Sequence, residues 1–128
     1  MIRLPHRVFA LAYLGSLAAV TVLSLIPQPQ LDAPEGTDKA LHLLAYGVIA
    51  GCGGLGFANW DRRVMAGTAA IGVGILLEIA QDAWARRNGS IADAASNAAG
   101  VVLGLAIAYV LLDVWGRLRR DAPRARPL

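Results

Sequence analysis

Three short stretches of this chain gather side chains that can hold ions or move protons. The first is Asp38, Lys39, His42 and Tyr46; the second is Glu78, Gln81 and Asp82; the third runs through Arg86, Arg87, Ser90, Asp93 and Asn97. Carboxylates and imidazole are the usual general acids and bases, so Glu78, Asp93 and His42 are the candidate catalytic groups. Arg87 offers a planar fork for a phosphate or carboxylate, and Lys39 a point charge. With Asp38, Tyr46, Gln81 and Asn97 they form the candidate ligand-binding set. A divalent metal held by His42, Glu78 and Asp93 is a further reading, but no recognised metal motif is present, and the sequence names neither a metal site nor a cofactor. Nucleophilic catalysis has little support. Cys52 lies ten residues past His42 inside an apolar run, and Ser90 and Ser96 have no evident base and orienting partner.

The elements that must position these groups are apolar helices. Of 128 residues, 56% are hydrophobic and only 16% charged, against roughly 25% charged in soluble domains. The apolar residues fall in long blocks, which points to a small integral membrane protein with one four-span domain over 1–116. Helices are predicted over about 8–26, 38–58, 64–82 and 91–112, each near the roughly 20 residues a span needs. A cleaved signal peptide is the alternative for the first, but its apolar run exceeds the usual length and no small-x-small site precedes Pro27. Pro27, Pro29 and Pro34 end that helix. Gly47 with Gly51, and Gly100 with Gly104, have the four-residue spacing that lets membrane helices approach closely. From Arg117 to Leu128 the chain is predicted to be a basic tail. A single cysteine excludes an intrachain disulfide. The net charge of +3 sits at the ends and turns, so it reads as topology and not as a nucleic-acid footprint.

Four spans put both termini on one side, and the positive-inside rule chooses the cytoplasm. Arg3, Arg7, Arg62, Arg63, Arg117, Arg119, Arg120, Arg124 and Arg126 then lie inside; only Lys39, Arg86 and Arg87 lie outside. Trp60 and Trp115 fall near the inner interface and Trp84 near the outer one. The second helix starts outside with Asp38 to His42, the third ends outside with Glu78 to Asp82, and the fourth starts outside with Asp93 to Asn97. At 1.5 Å per residue these stretches reach one depth, and four-residue spacing stacks His42 under Asp38, Tyr46 under His42 and Asn97 under Asp93. Four short spans with no charge at mid-membrane argue against a transporter.

Plainer roles compete for each residue. Ser90 and Asp93 suit a capping box, Thr37 or Asp38 can cap the second helix, and acids favour helix starts. Capping does not account for Glu78 at a helix C-terminus, nor for the deeper His42 and Asn97. Each of those can instead be a hydrogen-bonding pin between helices. Lys39, Arg86 and Arg87 can simply reach headgroups, and the glycines can be packing positions.

Asp38-Lys39-x-x-His42, then Glu78-x-x-Gln81, Arg87, Asp93-x-x-x-Asn97 and Gly100 together resemble the VanZ-like family of small membrane proteins, over about residues 38 to 104. The doubled Arg86-Arg87 departs from the single arginine of that pattern. The family takes its name from a member associated with glycopeptide (teicoplanin) resistance; likeness alone does not bring that property to this chain. The resemblance implies a cell-envelope protein of a bacterial inner (plasma) membrane. The expected partner is a membrane lipid or a lipid-linked envelope precursor whose anionic headgroup is bound, or modified, at the outer face, where helix N-termini favour anions. The competing expectation is a non-enzymatic scaffold or partner subunit whose polar cluster fixes helix packing.

Overall fold

The structure, a computed structural model, describes residues 5–26, 34, 36–84 and 91–121; of Trp84 and Asp121 it describes the backbone only. It is all-helical, with α1 (His6–Leu25), α2 (Thr37–Gly56), α3 (Trp60–Trp84) and α4 (Ile91–Asp121). Three stretches, His6–Leu25, Trp60–Ala83 and Ile91–Arg120, are long and apolar enough to cross a membrane. Large apolar side chains such as Leu11, Leu14, Leu44, Leu76, Ile79, Val102 and Ile107 cover the outside, an arrangement that suits lipid and not water.

Local chemistry sets the helix ends. α1 begins after Pro5, whose carbonyl accepts from Val8 N at 2.9 Å; it stops at Ile26, extended as residues before proline prefer. α2 starts from Gly36 at φ 86°, a left-handed conformation that glycine adopts without strain, and has no side-chain cap. Thr37 does not cap it: its hydroxyl donates back to Pro34 O at 2.7 Å. Asp38 sits in the first turn. α3 begins four residues earlier than the sequence predicts, because Asn59 Oδ1 accepts from Arg62 N at 3.2 Å and so caps a helix starting at Trp60. α4 continues through residues 113–121, past the predicted end and into the expected tail. Gly116 does not break it, and Asp113 with Arg117 forms an i,i+4 ion pair at 2.8 Å across that turn.

The helices alternate in direction, so α1 and α3 run one way and α2 and α4 the other. α2 and α3 each touch all other helices; α1 and α4, among the described residues, do not touch. The closest seam joins the parallel pair α2 and α4. Added Cβ atoms at Gly100 and Gly104 would collide with the carbonyl oxygens of Leu43 and Gly47, and one at Gly47 would stand 3.4 Å from Gly100 O. The two predicted glycine pairs therefore face each other. The core is Tyr13, Tyr46, Ile49, Ala50, Ala66, Ala70 and Val101. Tyr13 donates to Ala66 O at 2.9 Å, tying α1 to α3. His6 Nδ1 meets Leu55 O at 2.8 Å, and the rings of Trp60 and Tyr109 pack edge to face. These contacts define the end of the bundle that carries Arg62, Arg63 and Arg117.

Candidate functional site

The opposite end carries the polar groups. Alternation of direction brings the start of α2, the end of α3 and the start of α4 together there, as three separate parts of the sequence require. His42 comes from α2, Glu78 from α3 and Asp93 with Asn97 from α4. One potential ligand atom from each of His42, Glu78 and Asp93 lies within 4.8 Å of the others. Glu78 and Asp93 are only 8% and 9% exposed, and Asn97 2%.

Hydrogen bonds divide these groups by role. His42 Nδ1 lies 3.0 Å from Asn97 Oδ1. An amide oxygen only accepts, so this bond takes the proton on Nδ1 and leaves the lone pair on Nε2. Glu78 Oε1 stands 3.9 Å from the same Nδ1, too far for a direct hydrogen bond but close enough for electrostatic attraction to the ring. Asp93 Oδ1 is buried and has no hydrogen-bond partner among the described residues. Burying a carboxylate oxygen without a partner is costly. Tyr46 is buried one turn below His42. A Cβ at Gly74 would stand 3.0 Å from both Tyr46 Oη and Asn97 Nδ2, so the bare backbone at Gly74 makes room for these two side chains. Gly74 lies four residues before Glu78, on the same helical face. That four-residue spacing is the signal for Gly74 in the sequence.

Other expected residues stand apart from the cluster. Gln81 is buried, but its Nε2 donates to Ser24 O at 2.8 Å; it pins α3 to the end of α1. Asp38 and Lys39 are exposed at the rim, 3.7 Å apart. Cys52 is half-buried and lines an apolar groove of about 360 Å³ with Gly47, Gly51 and Gly104. The readings placed on Arg86, Arg87, Ser90 and the Trp84 side chain fall outside the described residues.

The arrangement combines two nearly buried carboxylates, an imidazole in a fixed orientation, and the N-termini of α2 and α4. Such a set can relay a proton or hold a cation. It can receive an anion only where positive charge offsets the carboxylates. No family model, curated protein or solved structure matches this chain.

Proposed function

We propose that this is a four-span, VanZ-like protein of the bacterial plasma membrane, with both termini cytoplasmic and an outward-facing site for the anionic headgroup of a lipid or lipid-linked envelope precursor. The carrying observation is the meeting of His42, Glu78 and Asp93 from three helices within 4.8 Å at one end of an otherwise apolar bundle. Ionisable groups near an apolar interior are expensive to keep there, which favours a functional reason for them. The four-span reading is supported by direction. α1 and α3 run in parallel, so the chain must return through α2 between them; its 20 residues measure about 30 Å, the thickness of the hydrocarbon core. α2 is diluted by glycine, Lys39 and His42, and it packs against every other helix, so it needs less apolar surface than its neighbours. The arginine-rich end opposite the cluster supports the orientation.

In this reading Lys39, Arg87 and the N-termini of α2 and α4 hold the anion. Glu78, Asp93 and His42 act on a group beside it as acid or base. Native mass spectrometry of the protein extracted with its lipids tests this. The wild type is expected to retain an anionic lipid or precursor adduct, and the Lys39→Gln/Arg87→Gln double variant to lose it. A wild type with no anionic adduct, or a double variant with an unchanged one, contradicts the proposal.

The scaffold reading draws on the Gln81–Ser24 and His42–Asn97 bonds, both of which pin helices together. It expects every substitution in the cluster to lower abundance and function in step.

A further inference from the structure

We propose that His42, Glu78 and Asp93 bind a divalent transition-metal cation of the Zn²⁺ or Mn²⁺ class at the outward end of the bundle. Around such a cation, with bonds of about 2.1 Å, adjacent donors stand ~3 to 3.4 Å apart and opposite donors ~4.2 Å. The three potential ligand atoms already lie within 4.8 Å of one another. A contraction on the order of 1 Å, within the range of small side-chain rotations, closes the set. The geometry does not stand alone. Asp93 is nine-tenths buried and its Oδ1 has no hydrogen-bond partner among the described residues; a cation supplies such a partner. Asn97 adds a further feature. By accepting from Nδ1 of His42 at 3.0 Å it holds the ring beside Glu78, whose Oε1 lies 3.9 Å from that nitrogen.

The donor types choose the class of cation. An imidazole selects against Mg²⁺ and Ca²⁺, which prefer oxygen throughout, whereas one nitrogen with two carboxylates suits Zn²⁺ or Mn²⁺. Three protein donors also leave coordination positions open, as catalytic metal sites do and structural ones do not. The inference deepens the headgroup reading and rests on it for its role, though the donor geometry stands independently. Two carboxylates repel an anionic headgroup. A cation seated between them reverses the local charge and gives a phosphate or carboxylate oxygen a direct ligand position.

The test uses the full chain in detergent, stripped with EDTA and then titrated with Zn²⁺ or Mn²⁺ alone. Elemental analysis is expected to give about one equivalent per chain, and calorimetry at least a tenfold weaker affinity for Asp93→Asn, in the range typical of perturbed metal sites. Asp61→Asn, at the other end of α3, is expected to bind as the wild type does. Pulsed EPR of Mn²⁺ bound to the wild type is expected to show coupling to one imidazole nitrogen, a readout that does not depend on how any variant folds. Binding below about a tenth of an equivalent, an unchanged Asp93→Asn affinity, or bound Mn²⁺ without nitrogen coupling overturns the proposal. If the stripped protein retains an anionic lipid yet binds no metal, the metal site fails and the headgroup reading stands. Metal binding without any retained anionic lipid has the opposite meaning.

Discussion

Asn97 shows how a single residue can serve both stability and site geometry. It is nearly fully buried and accepts from His42. Asn97→Ala removes the amide oxygen that holds Nδ1 of that ring and is expected to lower unfolding stability by about 1 kcal/mol or more, read from a denaturation midpoint in detergent. Gly74 makes a sharper test of the site itself. Gly74→Ala places a methyl 3.0 Å from Tyr46 Oη and Asn97 Nδ2, whereas Gly72 faces open space. Gly74→Ala is therefore expected to shift the His42 imidazole resonances and to weaken ligand retention, and Gly72→Ala to leave both as they are. Equal behaviour of the two variants contradicts the packing described around Asn97. At this scale the sequence placed residues on helix faces but could not assign partners. Helical spacing put His42 over Tyr46 and Asp93 over Asn97, which the structure repeats. It could not separate Gln81 from Glu78, because residues three apart share a face. Only the position of α1 decides that the Gln81 amide reaches Ser24 O.

Among the elements, the α2–α4 seam is the closest approach in the bundle and the least tolerant of added atoms. A side chain at Gly104 meets the backbone of Gly47 and Gly51, and neither can rotate away. Gly104→Val is expected to destabilise the protein by about 1–3 kcal/mol through overpacking. Gly15→Val, on the open face of α1, is expected to change little. Both are measured by unfolding in the same detergent, and a Gly104→Val variant as stable as Gly15→Val contradicts the seam. The number of helices and both glycine pairs were legible in the sequence, because apolar block length and four-residue spacing are local signals. Helix ends were less so. The start of α3 depends on a cap at Asn59 that reads equally well as a turn residue, and the end of α4 depends on an ion pair and not on a breaker.

For the whole molecule, alternation of direction matters most, since it turns three dispersed polar stretches into one cluster. Composition and charge asymmetry carried that inference, and the structure shows the helical bundle with three helices suited to cross a membrane. Sidedness has its own test. In a Cys52→Ser background, cysteine at Asn88 is expected to react with an impermeant reagent from outside, and cysteine at Asn59 only after permeabilisation; the reverse pattern overturns the proposed orientation. The central claim is that the cluster of His42, Glu78 and Asp93 acts and does not merely hold helices together. Its most direct measurement is function per folded molecule for Glu78→Gln and Asp93→Asn. Each variant is scored for rescue of the envelope-stress sensitivity of a strain lacking this protein, against its abundance in the membrane. The proposed function predicts normal abundance with rescue lost. Rescue that falls only in proportion to abundance, or that persists in both variants, contradicts it.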